Sequence, residues 1–366
     1  MRFAFLTELY PPHVGGQEVF FQELAEAMVQ RGHSVDVYCI GHDTGLDPDV
    51  TVNGVRIRRN PLTNRYINPP IPALRRNWPA IARYSAWVRR HVVPQQYDFH
   101  LLNQWPLVHV PALPRNVRAR TGIHWCEIRD DQIVGQAQKR LPRMVGSNFA
   151  VSIAVARAIT EQSGCQSSVL PSGIVVTRYR AADRSERAGA LYVGRLWPHK
   201  NLPLLIDAFA LAAARGFAGD LVIAGDGSAR ADIEEHARRS PVASRVRVLG
   251  SVTEEQKIEL LSRAAVLGMP SQREGFPRVI AEAMASGLPV VTAGFPENGA
   301  KEVVAQYGAG VVCGTEPADF AKALLNVEAQ WDAFSQAGLA GAQSLDWSGI
   351  AHHLETRAKE GGRTCG

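Results

Sequence analysis

Apolar residues in this chain fall into short dense runs separated by longer stretches with helical spacing, and the alternation begins at once. Arg2 to Thr7 is a short apolar run that predicts a buried strand, Val19 to Gln30 has the spacing of an amphipathic helix, and Ser34 to Ile40 is rich in β-formers. Gly32 supplies a helix stop between the second and third segments, so the three read as a βαβ unit. Val55 to Arg58 and Asp98 to Leu102 predict further strands, and Ala80 to Val92 a further helix. A polar, Arg-rich stretch from Arg180 to Arg187 interrupts the pattern, which then restarts with Ala190 to Gly194, a helix from Leu202 to Arg215, and Asp220 to Gly225. Val246 to Leu249, Ala265 to Met269, Pro289 to Thr292 and Gly310 to Cys313 supply more strands, with helices at about 254–263 and 278–286 and a last helical stretch from Trp347 to Lys359. Strand-helix alternation on this scale predicts parallel sheets. The fold class is α/β, in two Rossmann-like βαβ domains covering 1–180 and 181–344, followed by a helix and tail at 345–366.

Composition adds three constraints. The chain has 366 residues, 46% of them apolar and 20% charged, which suits two cores better than one. Glu8 cuts the first apolar run far short of an export segment, and no later run reaches the length of a membrane span, so the expected setting is cytoplasmic. Cys39, Cys126, Cys165, Cys313 and Cys365 are scattered singly, which suggests neither a metal site nor a disulfide framework. Up to residue 180 there are 21 Lys and Arg against 13 Asp and Glu, and after it 19 against 22, so the net charge of +5 belongs to the first half. That excess suits an anionic acceptor or peripheral contact with the inner face of a membrane, and equally a solvated face without a partner. Leu74, Arg75, Arg76, Trp78, Ile81, Arg83, Trp87, Val88, Arg89 and Arg90 mix aromatic and basic residues; they read as an amphipathic helix on the sheet or a membrane-facing surface. Nothing points to nucleic acid.

Three motifs carry chemistry. Gly15-Gly16-Gln17-Glu18 lies between the first strand and its helix, where backbone amides and the helix N-terminus favour an oxyanion, although a plain tight turn has the same sequence. Gly194-Arg195-Leu196-Trp197-Pro198-His199-Lys200-Asn201 puts two cations at the carboxyl end of a strand, fit to hold a diphosphate without a metal. In Gln272 to Pro289, Glu274 precedes a helix and Glu282 lies on it, eight positions later; Pro277 suits the first turn and Gly287 the stop. One carboxylate can take hydrogen bonds from sugar hydroxyls and the other from a ribose, with free amides near Phe276. Asp47-Pro48-Asp49 is formally D-x-D, but its polar surroundings read as a turn, and Gly225-Asp226-Gly227 is only a fragment of a dinucleotide fingerprint. A full G-x-G-x-x-G is missing, which speaks against a nicotinamide-dependent Rossmann enzyme.

On these residues the chain resembles the family 4 retaining glycosyltransferases, with Glu274 to Glu282 similar to that family's E-x7-E signature. The resemblance implies the GT-B fold, two Rossmann-like domains facing each other across a cleft, with the C-terminal helix returning to the N-terminal domain. It implies transfer of a sugar from a nucleotide diphosphate sugar, UDP favoured and GDP next, to an acceptor hydroxyl, without metal or other cofactor. Arg195 and Lys200 would grip the diphosphate beside Gly194; Glu274, with Gly275, Phe276 and Pro277, would meet the sugar; Glu282 would bind the ribose, and the turn at Val252 the base. Gly16 would approach the phosphate from the first domain, His124 would face the sugar, and His13, Gly15, Gly16 and Gln17 are acceptor-side candidates. His199 decorates its loop. An epimerase or phosphorylase of the same fold, or a non-catalytic membrane scaffold, remains open at this point.

Overall fold

The computed structural model describes the chain except residues 14, 65, 67–76, 129–131 and 362–366, and except the side chains of 132–134. Leu74, Arg75 and Arg76 therefore lie outside the described residues. Two compact units emerge: Met1–Gly173 together with Trp347–Gly366, and Ile174–Asp346. The compact units divide seven residues before the expected boundary at 180, since Ile174 already pairs with the second unit, donating its N–H to the carbonyl of Leu345.

The first unit is built on β1 (Arg2–Leu6), β2 (Ser34–Ile40), β3 (Asp49–Val52), β4 (Val55–Asn60), β5 (Phe99–Asn103), β6 (Thr121–Trp125), β7 (Ser147–Ala150) and β8 (Ser168–Val169). Their order in the sheet is β3-β4-β2-β1-β5-β6-β7-β8, parallel throughout apart from the antiparallel β3/β4 pair. That pair is a two-residue hairpin whose turn, Asn53-Gly54, has φ of 49° and 79°, the left-handed geometry that Asn and Gly tolerate. Asp49, expected in a turn, instead opens β3 and is held by Arg56 through two hydrogen bonds of 2.8 and 2.7 Å. The helix Gly16–Gln30 follows β1, and the C-terminal helix Trp347–Glu360 packs on it. Trp347 donates its indole N–H to Glu23 at 2.7 Å, and Arg31 meets Glu355 at 2.7 Å. Cys165 is disulfide-bonded, a departure from the expected free thiols, since cysteine spacing alone carries no information on nonlocal pairing; Cys39 and Cys313 are free thiols.

The second unit carries β9 (Ala190–Val193), β10 (Leu221–Ala224), β11 (Val246–Gly250), β12 (Val266–Met269), β13 (Val290–Ala293) and β14 (Gly310–Cys313) in the all-parallel order β11-β10-β9-β12-β13-β14. Its strands are largely buried on both faces, as a helix-covered parallel sheet requires. One buried cation fixes the framework. Arg187 donates to the carbonyls of Ala182 at 3.0 Å, Leu261 at 3.1 Å, Ala264 at 3.2 Å, and to that of Ser286, while lying over the Trp331 ring. Leu261 and Ala264 end the helix Glu254–Arg263, and Ser286 ends the helix Arg278–Ala285, so the guanidinium satisfies carbonyls that have no partner within their helices. Among the described residues no helix is long and apolar enough to cross a membrane.

The most deeply buried histidines of the first unit are His100, His109 and His124. Burial lowers their pKa values from 6.5 to about 4, about 3 and about 4 respectively, so they are neutral in the folded protein at pH 5. The unfolded chain takes up these protons first as pH falls. Their contribution is therefore fully present above about pH 6.5 and is lost progressively down to about pH 4, by about 1.4 kcal/mol per pH unit per histidine in mid-range. Urea unfolding followed at pH 7, 6 and 5 should show the free energy of the first unit dropping steadily; a value unchanged between pH 7 and 5 would contradict this assignment.

Candidate functional site

The sheet of the second unit reverses direction between β9 and β12, and open parallel sheets bind ligands outside the carboxyl ends of their strands at such a reversal. Two loops leave there, one from Gly194 after β9 and the other from Pro270 after β12. The first is shaped by close backbone packing. Leu196 donates its N–H to the carbonyl of Asp226 at 2.8 Å, Gly194 to that of Ala224 at 3.0 Å, and Ala229 to that of Leu196 at 2.8 Å. A Cβ at Gly225 would collide with the carbonyl oxygen of Gly194, and one at Gly227 with that of Leu196. The Gly225-Asp226-Gly227 turn therefore has its glycines because it supports the neighbouring loop from below.

The two loops are tied to each other. The backbone N–H of Gln272 donates to the carbonyl of His199 at 2.8 Å, and the Lys200 ammonium meets Glu274 Oε1 at 2.6 Å. Ser271 adds a hydroxyl to the same oxygen at 2.8 Å. Glu274 is pinned through its backbone as well, its N–H donating to Glu297 and its carbonyl accepting from Gly299. His199 is held below its ordinary pKa by burial and by Lys200, Arg273 and Arg195, with Glu274 opposing, so it senses all four charges around it. Arg195 lies with its guanidinium over the Trp197 ring, 4.3 Å from the centroid. Arg195, Lys200 and Glu274 thus come together at one end of one sheet.

Glu282 belongs to a different cluster. It is 3% exposed on the helix Arg278–Ala285, with Lys257 at 2.9 Å and Arg278 at 3.2 Å from Oε1. Tyr179 adjoins it, and burial together with the Glu282 charge raises the phenol's pKa. Phe276 packs against the core, and Pro277, the residue that caps this helix, has no N–H to offer. Val252 sits half-buried between β11 and the capping box that Thr253 and Gln256 form at the next helix. Ser271, Lys257, Tyr179 and Trp197 were not singled out by sequence; the last alone carried a local signal, as a large aromatic beside Arg195.

The first unit treats its own candidates differently. Gly16 is exposed and a Cβ there would meet nothing within 4 Å, so the space before the helix is open. The anion at that helix N-terminus, however, is the chain's own: Glu18 lies in the first turn, its carboxylate against Gly15 and 3.0 Å from His13 Nδ1. Gln17 Oε1 is buried without a hydrogen-bond partner among the described residues. His124 is corrected. It is 0% exposed, stacks on Phe20 at 4.1 Å, and its Nε2 lies 2.9 Å from the carbonyl oxygen of Leu170. His124 is the next-to-last residue of β6, a strand buried along its whole length, and the Phe20 stack turns its ring toward the helix Gly16–Gln30. On the helix Trp78–Val92, Ile81, Tyr84 and Val88 are buried, whereas Trp78, Arg83, Arg89 and Arg90 are exposed. Among the described residues no group of three or more His, Cys, Asp or Glu side chains is placed to hold a metal ion.

The described geometry has counterparts among known proteins. The D-inositol 3-phosphate glycosyltransferase of Geodermatophilus obscurus is 27% identical, over 91% of this chain and 82% of its own. The GDP-mannose:cellobiosyl-diphosphopolyprenol alpha-mannosyltransferase of Komagataeibacter xylinus is 26% identical over 94% and 89%. In fold, the chain superposes on sucrose-phosphate synthase from Thermosynechococcus elongatus with a TM-score of 0.76, at 18% identity over 98% of each chain. Anabaena HepE in complex with UDP gives 0.74, at 18% identity over 98% of this chain and 100% of that one. These are GT-B structures, and the architecture here is the same α/β pair of Rossmann-like units. The family model for Glycosyltransferase Family 4 matches residues 14–178 and that for Glycosyl transferases group 1 matches residues 179–340, so the chain belongs to the family 4 glycosyltransferases.

Proposed function

We propose that this glycosyltransferase moves a sugar from a nucleotide diphosphate sugar, UDP-linked by preference and GDP-linked next, to an acceptor hydroxyl with retention at the anomeric carbon and without a divalent ion. The observation that carries the reading is the Lys200–Glu274 pair beside Arg195 at the switch point of the second sheet. Breaking the anomeric bond leaves negative charge on the departing diphosphate and positive charge on the sugar ring. Fixed guanidinium and ammonium groups stabilise the first, and a fixed carboxylate stabilises the second. In this reading Gly194, Arg195 and Lys200 receive the diphosphate, Glu274 and the amides of Gly275 and Phe276 receive the sugar, and Glu282 and Val252 lie toward the ribose and base. Gly16, with Gly15, Gln17 and His13, is assigned to the acceptor side. UDP is favoured because the structural relative HepE is described with UDP and with UDP-glucose, and a trehalose-6-phosphate enzyme from E. coli with UDP-2-fluoro glucose. The mannosyltransferase of Komagataeibacter xylinus, named for GDP-mannose, keeps GDP next. Retention is supported by the resemblance of Glu274 to Glu282 to the signature of retaining enzymes.

The reading also takes in a cytoplasmic setting and peripheral contact with an anionic membrane surface, supported by the exposed Trp78, Arg83, Arg89 and Arg90. Sedimentation with anionic and with neutral vesicles should recover the protein preferentially with the anionic ones, and equal recovery in both supernatants sinks that contact.

Two experiments test the chemistry. Lys200→Ala and Glu274→Gln should each lower transfer by about 10²-fold or more while the variants still melt cooperatively; full activity in either removes the site assignment. In a thermal-shift series UDP should raise the melting temperature more than GDP, and GDP more than ADP. EDTA should leave the transfer rate unchanged, whereas a tenfold loss restored by magnesium would overturn metal independence.

A further inference from the structure

The two cations of the proposed donor site are held in different ways. Lys200 is already engaged, its ammonium 2.6 Å from Glu274. Arg195 makes no side-chain hydrogen bond or ion pair with any described residue, and its guanidinium rests on the face of the Trp197 indole. The indole is 41% exposed, an unusual place for so large an apolar ring, and nothing in the core requires it there. It is nonetheless fixed. The backbone N–H of Trp197 donates to the carbonyl of Arg195 at 3.1 Å, the Trp197 carbonyl accepts from the backbone N–H of Lys200 at 2.9 Å, and the His199 ring meets the indole edge-on with centroids 5.8 Å apart. Leu196 between the two residues is fully buried and anchors the turn.

We propose that Trp197 is a positioning residue for donor binding, holding Arg195 by the plane of its guanidinium so that the N–H edge is free for the oxygens of a diphosphate. The inference rests on the nucleotide-sugar reading given above and adds to it the residue that prepares Arg195. A guanidinium attracts an aromatic face through its own face and donates hydrogen bonds only in its plane, so the two interactions do not compete. A carboxylate partner would take the same in-plane donors that the phosphate needs. Stacking also restricts a side chain that would otherwise lose rotamer freedom on binding, and that prior ordering favours affinity.

Isothermal titration with UDP and with GDP tests the proposal on the whole protein, using whichever nucleotide the wild type binds. Trp197→Leu, which keeps bulk and loses the aromatic face, should weaken binding about three- to tenfold, and Trp197→Phe should restore most of it. In an Arg195→Ala background Trp197→Leu should change affinity less than twofold, because Trp197 acts only through Arg195. Tryptophan emission should shift on nucleotide binding in the wild type and not in Trp197→Phe. Unchanged affinity in Trp197→Leu, or the same loss with and without Arg195, overturns the role of Trp197 while leaving the donor site in place. A wild type that binds neither nucleotide, or an Arg195→Ala variant that binds as tightly as the wild type, overturns the donor reading itself and this inference with it.

Discussion

An ammonium and a carboxylate held 2.6 Å apart, each about nine-tenths removed from solvent, tie together the two loops that carry the proposed donor site. Neither group is stable there alone. Removing water from a single charge is expensive, and losing one partner of such a pair typically costs about 3–5 kcal/mol because the other is left uncompensated. Lys200 and Glu274 therefore hold the loops after β9 and β12 in register, with Ser271 sharing the carboxylate and Gln272 bonding to His199. The pairing also sets the charge available to a ligand. With Lys200 and Glu274 neutralising each other, Arg195 and Arg273 are the cations of these two loops without an ion pair to any described residue, and on the proposed reading a diphosphate would share Lys200 with Glu274.

Positioning of that pair traces back through the backbone. Gly225 and Gly227 let the turn after β10 lie directly under the Gly194 loop, where any side chain would collide with carbonyl oxygens. Arg187 fastens the segment before β9 to the ends of two helices, one of which, Arg278–Ala285, carries Glu282. Both devices exchange backbone polar groups for specific partners in a place where water cannot reach them, and both act at a distance from the charges they hold.

How much of this was legible follows from what each signal depends on. Alternation of strand and helix depends on local periodicity, so the sheets, the switch-point loops and the helix bearing Glu282 could be read directly. The β3/β4 hairpin was missed although Asn53-Gly54 between two β-rich runs announces it, because the polar Asp47-Pro48-Asp49 stretch masked the first of those runs. His124 was misread for a different reason. On a strand buried on both faces, two-residue periodicity gives no information on which side a residue faces, and only the stack on Phe20 settles it. Lys257 beside Glu282 is 25 positions away, and Arg187 reaches carbonyls 74 to 99 positions away, separations at which no local pattern exists.

The same topological feature occurs twice in the molecule with different chemistry. In the first unit the sheet reverses between β1 and β5, and there polar side chains pair with one another: Asn103 donates to the Thr7 hydroxyl at 3.1 Å, and Glu18 occupies the helix N-terminus beside His13. In the second unit the equivalent reversal between β9 and β12 carries Arg195 without a side-chain hydrogen bond to any described residue. A switch point supplies the crevice and the direction of the strand ends, but not the sign of the charge within it. A helix N-terminus already facing its own carboxylate has little further attraction for a phosphate, whereas a guanidinium stacked on an indole keeps all its donors available. On the proposed reading, the electrostatic difference between the two reversals, and not the fold they share, favours the second unit for the anionic part of a donor.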